Sequence, residues 1–252
     1  MSFKRLEIRH LVKAFGGEIV LSDFSLSACG GETVGLIGPN GAGKTTLFNV
    51  ITGFLSPEKG TVSFDGTKLV GLPPFRIANL GVCRTFQDVR LIRPLTTVEN
   101  VLLASRDRTG ERLVDVLFRW KRTTRRESKM REAAISLLES VGLLDTVDVA
   151  GGELSYGQQK LLSLVCCLAS GAELILLDEP IAGIAPEMRG EILSIIRELP
   201  NKGKCVVVIE HNFDAISSIC DRVIFMDAGE KKSEGTPDEI QTDPIVIETY
   251  LG

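Results

Sequence analysis

The sequence has no excess of positive charge: 29 basic residues stand against 33 acidic ones, for a net charge of −4 over 252 residues. A protein held to nucleic acid by bulk charge shows the reverse balance, and no nucleic-acid partner is expected. There is no C-x-x-C pair among Cys29, Cys83, Cys166, Cys167, Cys205 and Cys220. That argues against a zinc site or a disulfide framework. Most of these cysteines lie in apolar runs and read as buried thiols in a reducing compartment. Long hydrophobic runs are missing as well. The longest charge-free apolar stretch near the middle, Leu161 to Ala172, is too short to span a bilayer. Lys4, Arg5, Glu7 and Arg9 break up the start, where a secretion signal would sit. Any membrane part is therefore expected from another chain. No internal repeat, low-complexity tract or long linker is visible, and the length suits one large α/β domain or two small ones.

What is present begins with short strands. Over the first ~65 residues, apolar and β-branched runs predict strands at 6–8, 19–21, 24–28, 33–37 and 61–64. Gly16-Gly17, Gly30-Gly31 and Asp65-Gly66 mark the turns. Residues 98–170 read as mostly helical. From Gly171 strands (174–177, 205–209, 223–226) alternate with helices (187–199, 213–219), which implies a parallel sheet. Thr236-Pro237-Asp238-Glu239 is a capping box with Pro at the first helical position. The segment from Arg106 to Glu132 holds ten basic and five acidic residues. It reads either as a solvated helix or as a surface facing anionic headgroups or a partner's acidic loop.

The most informative motif is Gly38-Pro39-Asn40-Gly41-Ala42-Gly43-Lys44-Thr45, followed by Thr46. An apolar strand precedes it and a segment with helical spacing follows, the context a phosphate-binding loop requires. Its glycines let backbone N–H groups wrap phosphate oxygens, and the helix start adds its positive dipole end. Lys44 can reach the β- and γ-phosphates, and the Thr45 hydroxyl can hold Mg²⁺.

Further along, the apolar run Leu174 to Leu177 ends in Asp178-Glu179-Pro180. Two acids at a buried strand end are costly unless they have work to do. Asp178 suits the Mg²⁺ shell, and Glu179 suits a base that polarises the attacking water. Another strand ends in Ile209-Glu210-His211, and His211 is one of two histidines in the chain. At the ligand-binding edge of an open α/β sheet, a γ-phosphate contact is expected of it. Gln87 follows the strand-like Val82 to Phe86 and can touch Mg²⁺ or the water. Ser155 and Gln158 form a capping box before an apolar helix. With Gly157 they make a second anion site, which suggests two chains sharing one nucleotide.

Phosphate loop, Gln87, Leu154 to Gln158, Asp178-Glu179 and His211 stand in the order and at the spacings of an ABC-type ATPase, and the chain resembles that family over essentially its whole length. The resemblance implies an α/β fold with a P-loop (RecA-like) core, an antiparallel β subdomain and an inserted α-helical subdomain. It implies a single ATP-binding domain over 1–252, the helical part at roughly 90–170. It implies ATP and Mg²⁺ as cofactors, held by the loop residues with Thr45, Gln87 and Asp178 toward the metal. Glu179, His211, Gln87 and Lys44 are the implied catalytic set. Phe15, 23 positions before Gly38, matches the aromatic that stacks on adenine. The implied dimer is head-to-tail, the phosphate loop of one subunit facing Ser155, Gly157 and Gln158 of the other.

Finer stretches resemble the ATPase subunits of branched-chain amino-acid importers. They are Gly71-Leu72-Pro73-Pro74, Arg84-Thr85-Phe86-Gln87, Thr97-Val98-Glu99-Asn100, Tyr156-Gly157-Gln158-Gln159 and the end from Gly235-Thr236-Pro237 to Tyr250-Leu251-Gly252. Urea and amide importers share most of these, and lipid or lipopolysaccharide extraction ATPases share the layout. Soluble relatives acting on ribosomes or DNA usually carry two ATPase units or long insertions, which are not seen. The resemblance implies transmembrane permease subunits, a second identical or related ATPase chain and, indirectly, a solute-binding protein. It places the chain peripherally on the cytoplasmic face of the cell membrane. Two departures stand out: Tyr156 replaces a usual Gly, and Ile184-Ala185 stands where many members have an Asp.

Overall fold

The computed structural model describes residues 4–86, 89–105 and 120–251, with side chains left undescribed at 120–127 and 250–251. Gln87 and most of the basic segment 106–132 therefore lie outside the described residues. The chain opens with β1 (Arg5–Phe15), β2 (Glu18–Cys29), β3 (Thr33–Ile37), α1 (Lys44–Ile51), β4 (Lys59–Phe64) and β5 (Thr67–Lys68). Then come α2 (Pro74–Asn79), β6 (Val82–Arg84), α3 (Thr97–Ala104), α4 (Trp120–Glu139) and α5 (Tyr156–Ala169). The last part holds β7 (Leu174–Asp178), α6 (Pro186–Glu198), β8 (Cys205–Ile209), α7 (Phe213–Ile219), β9 (Arg222–Asp227), β10 (Glu230–Gly235) and α8 (Pro237–Thr242).

These elements fall into two compact units. The first comprises Met1–Gln87, Ala172–Ala182 and Ile192–Gly252; the second comprises Asp88–Gly171 and Gly183–Glu191. The first unit carries two sheets. One is antiparallel, in the order β2-β1-β4-β5. Its first hairpin turns on Gly16 and Gly17, both at positive φ (57° and 94°), as tight hairpins with right-handed twist require. The sequence predicts separate strands at 19–21 and 24–28, but they form one. A bulge absorbs the break: His10 and Asp23 both take left-handed φ (52° and 50°), and His10 Nδ1 lies 2.8 Å from Asp23 Oδ1.

The second sheet runs β10-β9-β3-β8-β7-β6. Every neighbouring pair from β9 to β6 is parallel, and β10 is antiparallel to β9. β3, β7 and β8 are buried at every position, the mark of strands covered on both faces. That is why they read as unbroken apolar runs in sequence. β10, Glu-Lys-Lys-Ser-Glu-Gly, carries no apolar residue, so no periodicity announces it; pairing with β9 alone makes it a strand.

In the second unit, the expected helical stretch divides. α3 starts at a Thr96–Glu99 capping box and α5 at a Ser155–Gln158 one, with non-helical chain over 147–155. The buried Asn100 side chain ties down the loop before α3, donating to Ile92 O (3.2 Å), Leu95 O (3.1 Å) and Thr96 O (3.0 Å) and accepting from Ile92 N (2.9 Å).

Cys29, Cys166, Cys205 and Cys220 are free. Burial pushes the Cys166 and Cys205 thiols up to about 12, so neither is a nucleophile at neutral pH. Cys83 and Cys167 are disulfide-bonded, which corrects the thiol reading at those two positions. A missing C-x-x-C pair argues only against bonds between near neighbours. Among the described residues, no helix is long and apolar enough to cross a membrane.

Candidate active site

The register of the parallel sheet fixes the site. Leu36 of β3 and Asp178 of β7 both lie opposite Ile209 of β8, and Arg84 of β6 lies opposite Leu176. The residues that follow these four strands therefore emerge along one edge, where open α/β sheets bind ligands.

From β3 the chain enters the loop. A Cβ on Gly38 (φ 149°) would lie 1.9 Å from the Met226 carbonyl oxygen, and one on Gly43 (φ 99°) 2.7 Å from that of Val20. Only glycine fits there. Ala42 is buried and donates to Pro39 O (3.2 Å), while Asn40, Gly41 and Thr45 are exposed and Thr46 is half-buried. The helix α1 that follows has no side-chain cap. Its first N–H groups stay available, and an anion is the natural partner. The buried Lys44 curls back, its Nζ donating to Gly38 O (2.7 Å) and Pro39 O (2.8 Å). Burial lowers its pKa, against the opposing pull of the Glu179 and Asp178 carboxylates.

At the end of β7, Asp178 Oδ2 accepts from Arg84 Nη2 at 2.8 Å, both side chains being 4% exposed. The other arm of Arg84 donates to Asn49 Oδ1 of α1 (2.7 Å), and its guanidinium packs on the rings of Phe48 (5.3 Å) and Phe86 (4.8 Å). The sequence singles out Arg84 only as part of a resembling stretch; its signal was a charge at the end of an apolar strand. Arg84→Ala strands a buried carboxylate, so unfolding in urea should show a loss of about 3–5 kcal/mol. Arg84→Lys should recover part of it.

Glu179 takes a left-handed φ of 48°, a conformation that costs a non-glycine residue about 1–3 kcal/mol. Its carboxylate meets His211 Nε2 at 3.1 Å, so two residues expected to act together do stand together. Next to His211 in the chain stands Glu210, 3% exposed. Its Oε1 accepts from Ile181 N (2.9 Å) and its Oε2 from His211 N (3.2 Å). Sequence reasoning gave Glu210 no role, although an acid closing the apolar run 205–209 carries the same signal as Asp178.

Phe15, at the end of β1, is 46% exposed, with Lys13 Nζ 5.0 Å from its ring centre. A large apolar face left open suits stacking by a planar ligand. In the second unit, Ser155 N donates to Gln158 Oε1 (3.0 Å) and Gln158 N to Ser155 Oγ (3.3 Å). Gly157 is held close: a Cβ there would sit 2.4 Å from Met188 Sδ. The first turn of α5 therefore packs closely against Met188. Ile184 is buried, its carbonyl accepting from Arg189 Nε at 2.8 Å, and supplies no carboxylate to that loop.

Among the described residues, no group of three or more His, Cys, Asp or Glu is placed to hold a metal ion. The Thr45 hydroxyl and the Asp178 carboxylate are hard oxygen donors that fit Mg²⁺, a cation bound by one or two carboxylates with waters and substrate phosphates completing its shell.

Comparison with known proteins places this geometry. Residues 21–182 match the family model described as ABC transporter, and 233–252 match branched-chain amino acid ATP-binding cassette transporter. The chain is 39% identical to the high-affinity branched-chain amino acid transport ATP-binding protein LivG of Salmonella typhimurium, covering 100% of this chain and 99% of that one. It is 37% identical to BraF of Pseudomonas aeruginosa, with the same description and coverage. Among solved structures, an ATP-binding cassette of an ABC transporter in its ADP conformation matches with a TM-score of 0.83 at 35% identity, over 99% of both chains. A dimeric post-hydrolysis cassette bound to ADP and Pi matches at 0.77 and 25%, over 92% of this chain and 98% of that one.

Proposed function

The chain belongs to the ATP-binding subunits of ABC transporters, and from that membership we propose that it hydrolyses ATP to drive the import of branched-chain amino acids. The observation that carries the ATPase reading is the convergence at one sheet edge of an uncapped helix start, a buried lysine and a Glu179–His211 pair. The substrate class rests on the LivG and BraF relatives and on the C-terminal match.

In this reading the loop from Gly38 to Thr46 cradles the phosphates, Lys44 neutralises the β- and γ-phosphates, and Phe15 stacks on the base. Glu179 takes a proton from the attacking water, and His211 holds the γ-phosphate and keeps that water in line. Thr45 and Asp178, with Gln87, would hold Mg²⁺, which when bound offsets phosphate charge. Ser155, Gly157 and Gln158 serve the nucleotide of a second ATPase subunit, identical or related. The second compact unit corresponds to the helical subdomain within one ATP-binding domain. Transmembrane permease subunits hold the chain at the cytoplasmic face of the membrane, and a solute-binding protein acts through them.

The test is ATP turnover of the chain co-assembled with its permease in liposomes. A binding protein loaded with leucine, isoleucine or valine should stimulate turnover several-fold over the unloaded protein. Stimulation by urea or an amide instead, or extraction of lipid without any binding protein, would replace the substrate assignment while leaving the ATPase intact.

A further inference from the structure

Glu179 is held in a backbone conformation that an ordinary residue leaves unless its surroundings over-determine it. Its own N–H donates to Ile209 O (2.9 Å), and its carbonyl accepts from Ala182 N (3.2 Å). These bonds fix the first and last parts of the turn after β7. The middle of that turn is fixed from β8. There Ile181 N donates to the carboxylate of Glu210, which also accepts from the backbone N–H of His211. One buried carboxylate therefore ties the turn that carries Glu179 to the turn that carries His211. The two side chains riding on those turns meet at 3.1 Å. A buried carboxylate is an expensive way to satisfy two backbone donors. A role confined to stability would be met as well by a neutral acceptor. A rigid acceptor that reaches both turns from one side chain is what alignment needs.

We propose that Glu210 is a positioning residue that sets Glu179 and His211 in one frame for attack on the γ-phosphate. This rests on the reading of Glu179 as base and His211 as its partner. The role assigned to Glu210 runs through the two turns, by its bonds to Ile181 N and His211 N. Displacing a reacting group by about 1 Å can cost on the order of 100-fold in rate, so small slippage in either turn is enough to be seen.

The first measurement needs no turnover. His10 and His211 are the two histidines, so the ring signals of His211 can be assigned in NMR spectra of the full-length chain. Glu210→Gln keeps one acceptor and Glu210→Ala keeps none. Both should move the His211 signals toward those of Glu179→Gln, in which the pair is altered directly, and leave His10 unmoved. The second measurement is single-turnover ATP hydrolysis by the chain with its membrane partners. Glu210→Ala should lower turnover at least tenfold with ATP affinity within threefold of wild type, and Glu210→Gln should fall between. In the Glu179→Gln background, Glu210→Ala should add little, because the group being positioned is already gone. Should the alanine variant fail to fold, the glutamine variant carries both measurements. Unmoved His211 signals with near-wild-type turnover would overturn the proposal. So would equal losses in both backgrounds, the pattern of a purely structural residue. Wild-type turnover in Glu179→Gln alone would instead remove the base assignment, and the His211 signals would still report whether Glu210 holds the pair.

Discussion

Glu179→Gln is expected to bind ATP as tightly as the native chain and to lose roughly 10²–10⁴-fold in turnover, the usual contribution of a positioned general base. The substitution keeps size, shape and one acceptor oxygen, so the 3.1 Å approach of His211 Nε2 to the side chain can persist. The backbone bonds of Glu179 to Ile209 and Ala182 do not involve the side chain at all. Only basicity is removed. Binding is expected to survive because the phosphate contacts assigned to the loop, Lys44 and Thr45 come from other residues. The ATP-bound dimer should therefore accumulate, visible as a larger species in size-exclusion chromatography with ATP and absent with ADP. Turnover within a few-fold of wild type would mean that the base lies elsewhere and that Glu179 is structural.

Much of this site was legible because its chemistry sits at strand ends. Thr33–Ile37, Leu174–Asp178 and Cys205–Ile209 are buried throughout, and unbroken apolar runs of that length are easily read. Whatever polar residue closes such a run is conspicuous, and Asp178, Glu179 and His211 stand out for that reason. The capping boxes at Ser155 and Thr236 were readable for a related reason, since their bonds span three residues and leave a local pattern. What stayed hidden depends on contacts between distant segments. Arg84 and Asp178 are 94 positions apart, and Glu210 and Ile181 are 29 apart. No local periodicity encodes either pair. β10 has no mark in the sequence because an all-polar strand is specified by its neighbour alone, and the merging of 19–21 with 24–28 has none because a bulge reads in sequence like a turn. The left-handed φ of Glu179 has no sequence mark either: it is imposed by the bonds around it.

Lys44→Ala is expected to weaken ATP binding by about 10- to 150-fold, the worth of one hydrogen bond to a charged group at about 1.5–3 kcal/mol, and to depress turnover further. The ammonium is buried, and its neighbours explain why both losses follow. Nζ is held by the carbonyls of Gly38 and Pro39 at 2.7 and 2.8 Å, so alanine removes the lysine donor from both, leaves Pro39 O with the Ala42 N–H alone (3.2 Å), and loosens the curve that presents the N–H groups. The charge also faces Glu179 and Asp178, whose carboxylates pull against the burial that lowers the lysine's pKa. Without it, an incoming triphosphate faces the two acids with one cation fewer to offset their charge. Repulsion then opposes binding, and it grows as charge builds on the γ-phosphate during attack, which is why turnover should fall more than affinity. Lys44→Arg is a demanding control: it keeps the charge but brings a planar fork into a space shaped for a point charge. It should restore some affinity and little turnover. Titration of a fluorescent ATP analogue, with single-turnover hydrolysis on the same preparations, separates the two effects. Affinity within threefold of the native chain in Lys44→Ala would show that the loop N–H groups and the α1 dipole suffice, and that Lys44 serves only to brace its own loop.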